Sequence, residues 1–449
     1  QEEPRGDITF PPSQGADYKA ILVLMLSGGC DSFNMLVPHT CSAKDMYAEY
    51  FKVREQVALS KSSLLMIDSN NQICEKFGVH QNLPIIQELY NDGDLLFLAN
   101  TGSLTKPANK DNYYHVTKQQ LFAHNHMQRD AQSVDPFEKI VGTGVVGRIA
   151  DRLEEKGQKV GAFSIDRSSI SLIGETAVGK DQFILSQNGI NEFNSQPSSP
   201  TMQETIQELN EATTPDSGFF AETWSESLLR SLAHNKMLYN ILTDATTSVT
   251  FPKTNLGNQL KVVAQVIGSR LERSVDADVF YVEMGGFDTH SNVEQVLQNR
   301  FQEMNGAIEA FTSEIKQLNL WDSVTTVQIS DFARTLNPNS GDGTDHAWGG
   351  NYFMFGGSVK GGKIYGTYPD NLTDDGPKTL ERGRLIPDTP WDAPFESLAR
   401  WAGIDTNDEL DKVCPNRHNF PESVRFNNNS LFKSAQRRAT SSTRGHLRK

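Results

Sequence analysis

Residues 330–350 constrain this chain more than any other segment, because they join a strand-forming run to a long polar loop with acidic and histidine residues. The β-branched run at residues 324–329 predicts a buried strand. The Asn-Pro, Asn-Ser and Gly-rich stretch after it predicts a loop. Asp331 directly follows the strand region, and the loop places Asp345 beside His346. Ligands of open α/β sheets bind outside the carboxyl ends of the strands, so the sequence predicts a binding site here.

A second segment repeats this arrangement. Residues 279–284 form another apolar run, and the sequence GGFDTH follows it with Asp288 and His290. Carboxylate oxygens and neutral imidazoles are usual protein ligands of zinc, manganese and related ions. The two segments together therefore predict a divalent metal centre. For each residue taken singly, a loop aspartate that accepts hydrogen bonds from backbone amides is the alternative.

The first strand predicts a third contribution to the same edge of the sheet. Residues 18–26 are strongly apolar, and two glycines, Asp31 and Asn34 follow them. Parallel strands present their carboxyl ends at one edge, so we expect Asp31 to share a site with Asp288 and Asp345. An Asx turn or a helix cap at Asp31 is the alternative.

The order of predicted elements favours a three-layer α/β/α sandwich with a mostly parallel central sheet. Strand 279–284, helix 293–318 and strand 324–329 follow one another, which predicts a right-handed crossover. Residues 352–355 and 363–365 flank a glycine-rich turn and predict a hairpin. The other main predicted elements are helices at 43–59, 83–90, 144–156, 221–243, 256–272 and 391–402, and strands at 95–99 and 160–165.

The composition argues against several classes of function. The 449-residue chain has a formal net charge of -14, which disfavours nucleic acids and anionic membranes as general partners. Its apolar fraction of 37% is typical of a folded globular protein. No run of about 18 apolar residues is present, so we expect no membrane span.

The two ends of the chain differ from its body. Residues 1–17 are polar and predict an N-terminal arm, and residues 18–432 predict an α/β domain with an insertion around residues 166–216. We expect residues 433–449 to form a disordered basic tail, with an electrostatic contact to an acidic partner as the alternative. The basic residues of this tail are Lys433, Arg437, Arg438, Arg444, Arg448 and Lys449.

The cysteines and the first residue leave the cellular compartment open. Cys30, Cys41, Cys74 and Cys414 permit up to two disulfides and form no Cys-x-x-Cys metal motif. Their number alone does not fix the compartment. The chain begins at Gln1 without an initiator methionine or a signal peptide, which is compatible with a mature secreted protein.

Six motifs follow one another along the chain, and in this order they resemble those of a known family: GGCDSFNMLVP, LFAHNHMQRDAQS, GFDTHSN, SDFARTLNPNSGDGTDHAWGG, GGSVKGGKIYGTYP and GRLIPDTPWDAPFESLARWAGI. Between about residues 20 and 420 the chain is similar to domain-of-unknown-function family 1501, which resembles the alkaline phosphatase and sulfatase superfamily. The resemblance implies an alkaline-phosphatase-like sandwich and, because bacterial members typically carry an export signal, a secreted or otherwise extracytoplasmic location.

The resemblance also implies roles for individual residues. Asp331 takes the place of an acidic residue of the family, and His124 matches a family histidine. Ser32 is one of the residues nearest to a counterpart of the superfamily's nucleophile. These three are the candidate catalytic residues. For His124 a surface or cap histidine is the alternative. The candidate metal ligands are Asp31, Asp288, His290, Asp345 and His346, with Asn34 beside the first of them.

The chain departs from the family at several positions. Ala123 stands where the family usually has a serine before the histidine, Cys30 stands where it often has Asn or Pro, and Ala333 replaces a usual glycine. The covalent nucleophile of the superfamily, a serine, threonine or modified cysteine, has no clear counterpart. Cys30 and Ser32 are the nearest candidates, and neither lies in a motif that identifies it as the nucleophile.

Two functions follow from these observations. The first is a metal-dependent extracytoplasmic hydrolase of phosphate or sulfate esters, with a small anionic ester as substrate and Zn, Mn, Mg or Ca as the divalent cofactor. The second is a catalytically inactive secreted binding or assembly protein that keeps the fold. The set of aspartates and histidines favours the first function, whereas the missing nucleophile and the basic tail favour the second.

Overall fold

The computed structural model describes residues 18–118, 120–175, 182–190, 219–426 and 431–434. The α-helices in these residues are α1 (Met46–Arg54), α2 (Pro84–Asn91), α3 (His124–Ser133), α4 (Val145–Glu155), α5 (Phe219–Thr243), α6 (Asn255–Gly268), α7 (Val293–Gln317), α8 (Asp392–Ala402) and α9 (Asn407–Val413). The strands are β1 (Lys19–Leu26), β2 (Leu36–Thr40), β3 (Leu65–Asp68), β4 (Lys76–Val79), β5 (Leu95–Gly102), β6 (Val160–Ile165), β7 (Phe183–Leu185), β8 (Ala277–Met284), β9 (Val324–Ser330), β10 (Gly350–Phe355), β11 (Lys363–Gly366), β12 (Thr379–Leu380), β13 (Arg384–Leu385) and β14 (Thr389–Pro390).

The main sheet has the strand order β11-β5-β10-β9-β1-β8-β6-β7, and β14 also pairs with β5. The pairs of β1 with β8 and β9, and of β6 with β7 and β8, are parallel. Strand β10 is antiparallel to both of its neighbours, β9 and β5. The expected mixed α/β fold with a large, mainly parallel central sheet is therefore confirmed.

Strand β1 lies in the middle of the sheet because both of its faces are apolar. Leu22 and Leu24 pack into the apolar core on one face, and Val23 and Met25 pack into the core on the other face. Helices α1, α2, α6 and α7 cover the first face, and α4, α8 and α9 cover the second. The sheet is thus the middle of three layers, as parallel sheets that are buried on both faces require.

The crossover from β8 through α7 to β9 brings three loops to one edge of the sheet. Strand β1 pairs with β8 on one side and with β9 on the other. In this register Leu26, the last residue of β1, is aligned with both Met284 and Ser330. The loops after β1, β8 and β9 therefore begin side by side at the carboxyl edge.

The predicted hairpin of residues 352–355 and 363–365 is wrong. Strands β10 and β11 do not pair with each other, because β5 lies between them and pairs antiparallel with β10 and parallel with β11. Every residue of β5 is buried. A strand that is buried on both faces also needs hydrogen-bonding partners along both edges, and β10 and β11 supply them.

A smaller antiparallel sheet of β2, β4 and β3 lies beside the main one, and the Cys41–Cys74 disulfide connects the segments around it. Cys30 and Cys414 are free, buried thiols. No helix in the described part of the chain is long and apolar enough to cross a membrane.

Several predicted segments lie partly or wholly outside the described residues. These are the N-terminal arm at 1–17, most of the expected insertion at 166–216 and the tail from residue 435 onward. Within the insertion, residues 183–185 form strand β7 at the edge of the main sheet. Within the tail, Lys433 Nζ lies 2.8 Å from Asp94 Oδ1.

Candidate metal centre

Close backbone contact between loops builds the site at the carboxyl edge of the sheet. Gly28, in the loop after β1, has a φ of +113°. A Cβ atom at this position would lie 2.5 Å from the backbone nitrogen of Asp288, in the loop after β8. Only glycine combines this φ with such a close approach, so the two loops can pack together at this point.

Three imidazole Nε2 atoms surround one carboxylate oxygen. Asp288 Oδ1 lies 3.0 Å from His290 Nε2 and 3.4 Å from the Nε2 atoms of both His124 and His346. The Nε2 atoms of His290 and His346 are 3.0 Å apart. We call these four residues the histidine cluster. Their side chains are between 25% and 49% exposed, so a ligand can reach the cluster from solvent.

Each imidazole is held at its other nitrogen. His124 Nδ1 is 2.8 Å from Asp331 Oδ2, and His290 Nδ1 is 2.9 Å from Asp345 Oδ1. His346 Nδ1 is 2.8 Å from the carbonyl oxygen of Phe122. Carboxylates and carbonyls accept hydrogen bonds, which places the proton of each neutral ring on Nδ1 and the lone pair on Nε2.

This arrangement fits a bound cation. Two Nε2 lone pairs only 3.0 Å apart, as in His290 and His346, repel each other unless a proton or a cation lies between them. His124 Nε2 is buried and has no hydrogen-bond partner among the described residues. Metal-binding histidines typically donate their second ring nitrogen to a carboxylate or carbonyl, as all three do here. His124, Asp288 and His346 also form a group whose ligand atoms lie within 4.8 Å of one another.

Arg334 fixes the loops around the cluster. Its buried guanidinium donates to the carbonyl oxygens of Gly29 at 2.9 Å, Gly28 at 2.6 Å and Thr344 at 3.0 Å, and it also bonds Asp288. One side chain thereby joins the loops after β1, β8 and β9. Sequence reasoning missed this role, although Arg334 lies in the same motif as Asp331.

Asp288 and Asp345 carry negative charge beside the imidazoles, and the guanidinium groups of Arg334 and Arg382 bond them. Burial raises the pKa of Asp288, but the hydrogen bond and charge of Arg334 outweigh this effect and lower it overall. Burial likewise raises the pKa of Asp345, whereas hydrogen bonds from Asn339 and His290 and the charge of Arg382 bring it down to about 2. Both carboxyl groups are therefore ionised at neutral pH.

The imidazoles of His124 and His346 differ in their titration. The hydrogen bond to Asp331 raises the pKa of His124, against the opposing effect of burial. Burial lowers the pKa of His346. His346 is thus in the neutral form that a metal ligand requires.

Asp331 and Asp345 lie outside the imidazoles rather than among them. Besides holding His124, Asp331 accepts a hydrogen bond from the backbone nitrogen of Gly28 at 3.1 Å through Oδ1. Asp345 bonds Arg382 through its second oxygen. Both aspartates therefore orient histidines, whereas the resemblance implies a catalytic role for Asp331 and a ligand role for Asp345.

Asp31 and Asn34 are directed away from the cluster. Asp31 is fully buried, and its Oδ2 lies 2.7 Å from Arg54 Nη2. Asn34 accepts a hydrogen bond from the Tyr50 hydroxyl at 2.7 Å and donates to the carbonyl oxygen of Val57 at 2.9 Å. Helix α1 and the turn after it supply these partners, so neither expected ligand of the first loop belongs to the cluster.

The two nearest candidates for a nucleophile are also buried elsewhere. Ser32 Oγ accepts a hydrogen bond from the backbone nitrogen of Asn351 at 2.9 Å, and the side chain is not exposed. Burial, followed by the charge of Asp31, raises the pKa of the Cys30 thiol well above its usual value. A buried thiol of raised pKa is a poor nucleophile.

The segment before α3 has an unusual backbone at Phe122 and an N-cap position at Ala123. Phe122 has a φ of +66°, an unfavourable conformation for a bulky residue, and its carbonyl oxygen holds His346. Ala123 occupies the N-cap position of α3 and forms no side-chain cap. The position at which the resembling family usually has serine is thus next to His124 at a helix N-terminus.

Comparisons with known proteins give the following matches. The sequence matches the family described as "Protein of unknown function (DUF1501)" over residues 18–381. No curated protein is significantly similar to the chain.

Several solved structures are similar to the chain at low sequence identity. The lipoteichoic acid synthase LtaP from Listeria monocytogenes is 10% identical, with 89% of this chain and 77% of that chain covered and a TM-score of 0.37. The PsFucS1 sulfatase from Pseudoalteromonas sp. is 10% identical, with coverages of 88% and 69% and a TM-score of 0.33. The phosphonate monoester hydrolase SpPMH from Silicibacter pomeroyi is 8% identical, with coverages of 88% and 77% and a TM-score of 0.35.

Proposed function

This chain belongs to the DUF1501 family, and from that premise we propose that it is a metal-dependent hydrolase of phosphate or sulfate esters that acts outside the cytoplasm. The observation that carries the proposal is the convergence of three imidazole Nε2 atoms on Asp288 Oδ1. The Cys41–Cys74 disulfide supports the location, because disulfides form and persist in oxidising compartments.

The histidine cluster would hold the cation through Asp288 and the imidazoles of His124, His290 and His346. A set of three nitrogens and one carboxylate oxygen favours zinc or manganese over magnesium and calcium, which prefer oxygen ligands. When bound, such a cation polarises an ester oxygen and lowers the pKa of a water molecule.

The residues around the cluster have a positioning role in this proposal. Asp331 and Asp345 keep the Nε2 atoms of His124 and His290 directed inward, and the Phe122 carbonyl does the same for His346. These contacts lower the entropy cost of assembling the site, since the rings are oriented before the ligand arrives. Because Ser32 and Cys30 are buried, we assign the attack on the ester to water.

The direct test is hydrolysis by the purified protein after loading with zinc or manganese. Aryl phosphates and aryl sulfates should be cleaved, and both metal content and rate should fall sharply in His290→Ala. A matched control is His418→Ala, which removes an exposed histidine that pairs with Asp411 and should leave both values unchanged. If His290→Ala and the wild-type protein cleave the esters at the same rate, the proposal is wrong.

A second candidate function is a binding or assembly protein that keeps the metal without catalysis. Ala123 favours it, because this residue provides no hydroxyl group next to His124. The same experiment separates the two functions. Tight metal binding that depends on His290, together with no hydrolysis of any phosphate or sulfate ester, would support the second.

A further inference from the structure

Two arginines form a positively charged edge beside the histidine cluster. Arg382 bonds Asp345, and Arg384 Nε donates to the carbonyl oxygen of His346 at 2.9 Å. The Arg384 guanidinium also lies over the Phe122 ring, 5.1 Å from its centroid. Arg384 thus contacts a member of the histidine cluster, and Arg382 contacts the aspartate that holds His290. The proposed chemistry does not use either arginine.

The two arginines lie in a turn whose backbone is left-handed at two consecutive residues. Arg382 has a φ of +65°, and the next residue, Gly383, has a φ of +68°. A Cβ atom on Gly383 would lie 2.6 Å from the Leu336 Cβ, so the turn packs tightly on the loop after β9. A non-glycine residue in the left-handed region is unfavourable, and such strain is concentrated at functional sites. The turn is therefore a candidate for a binding element.

The charges of the pair are only partly balanced. Asp345 is the carboxylate that contacts Arg382, and it also accepts hydrogen bonds from Asn339 and His290. Within the part of the chain that the structure describes, Arg384 hydrogen-bonds the backbone carbonyl oxygens of His346 and Glu381. The Arg382 side chain is 49% exposed. An anion from solvent can therefore approach this edge and find guanidinium donors there.

The pair lies on the outer side of the imidazoles. Arg382 bonds one oxygen of Asp345, and the other oxygen holds His290 Nδ1, on the opposite edge of the ring from Nε2. Arg384 contacts the backbone of His346 rather than its ring. The anionic group that is cleaved at the Nε2 atoms would therefore be separate from an anionic group at the arginines.

We propose that Arg382 and Arg384 bind a second anionic group of the substrate, so that the preferred substrates are esters that carry another phosphate, sulfate or carboxylate. This inference rests on the proposed function, because the bound ester is a substrate only if the protein hydrolyses it. It adds a specificity determinant that lies outside the cluster. Guanidinium groups suit this task because they bind carboxylates, phosphates and sulfates through paired donors.

The test measures binding of non-hydrolysable anions to the zinc- or manganese-loaded protein by calorimetry. Alkylphosphonates that end in a methyl group are compared with ω-carboxyalkylphosphonates of equal length, over two to six methylenes. At the best length, the carboxylate should tighten binding to the wild-type protein by roughly two- to fivefold, as expected for a partly exposed ion pair. Arg384→Gln should abolish most of this preference, and Arg384→Lys should restore part of it.

Two controls separate a specific loss of the carboxylate preference from a general loss of structure or metal. Arg270→Gln removes an arginine that lies over Tyr18, at the amino end of β1, and should keep the preference. Metal content should be unchanged in Arg384→Gln, because this side chain contacts backbone carbonyls and an aromatic ring rather than a ligand side chain. A cooperative thermal transition shows that the variant is folded, although the lost hydrogen bonds and cation–π contact lower its melting temperature.

The possible outcomes distinguish this inference from the proposed function. No carboxylate preference at any length, or an equal preference in Arg384→Gln, would overturn the inference even if esters are hydrolysed. An arginine-dependent preference in a protein without hydrolase activity would keep the inference as a binding property and remove the proposed function.

Discussion

The loop after β1 and the loop after β8 leave the same edge of the sheet, and each carries an aspartate shortly after two glycines. In the first loop, Asp31 is fully buried and paired with Arg54. In the second, Asp288 is 49% exposed, bonds Arg334 and faces three imidazoles. Strand order determines which loops meet, whereas the neighbouring side chains determine where each carboxylate points.

The largest expected effect comes from removing the partner of Asp31. Arg54→Met leaves a buried, uncompensated carboxylate, which typically costs about 3–5 kcal/mol, so the free energy of unfolding should fall by this amount in denaturant titrations. Adding Asp31→Asn should recover a large part of the loss, since it removes the unpaired charge. A decrease below about 1 kcal/mol for Arg54→Met would show that Arg54 is not what holds Asp31 in the first loop.

The second loop should depend on a cation instead. Removing the metal with a chelator should lower the free energy of unfolding by about 2.7 kcal/mol, relative to protein with free metal at 100 times its dissociation constant. His346→Ala should abolish the difference between metal-loaded and chelated protein. The His418→Ala control should show the full difference. Equal stability of the wild-type protein with metal and with chelator would contradict the contrast between the two loops.

Capping of α3, the helix that begins at His124, should have a smaller effect on the free energy of unfolding. Ala123 is the N-cap residue and its backbone is extended, which is the conformation that a serine cap requires. Ala123→Ser should therefore raise the free energy of unfolding by about 1 kcal/mol, measured by denaturant titration. Ala123→Val is the matched comparison, because it adds side-chain atoms without a hydroxyl group. Equal values for Ala123→Ser and the wild-type protein would mean that the serine side chain does not reach the helix backbone.

An effect of similar size is a dependence of stability on pH from Asp345. Its folded-state pKa of about 2 lies below the ordinary value of 3.8, so its stabilising contribution is complete above pH 4 and is lost as the pH falls towards 2. The contribution is roughly 1 kcal/mol after solvent screening is allowed for. Asp345→Asn should flatten the stability profile of the chelated protein between pH 4 and 2. Parallel profiles for the two proteins would rule out this contribution.

Much of the fold could be predicted from the sequence because its signals are local. The sequence predicts a strand at residues 160–165, and β6 is observed there, with its apolar side chains in the cores on both faces of the sheet. The error at β10 and β11 concerns pairing rather than existence. Which strand lies between two others depends on the whole sheet, and the glycine-rich turn between them carries no information about β5.

The candidate site could be predicted only in part for a related reason. Asp288, His290 and His346 follow strands in the sequence, and the strand order brings them together. The direction of Asp31 depends on Arg54, which lies in α1 and has no recognisable motif. The position of Asp345 outside the ring of His290 depends on imidazole orientation, which residue types and spacing do not encode.

The measurement that tests the central claim most directly is the metal content of three purified variants. Elemental analysis should find a divalent cation in the wild-type protein and in Asp31→Asn, whose carboxylate pairs with Arg54. The cation should be absent from Asp288→Asn and from the double variant His290→Ala, His346→Ala. Loss of the metal from a folded Asp31→Asn, with retention in the double histidine variant, would contradict the assignment of the site to the histidine cluster.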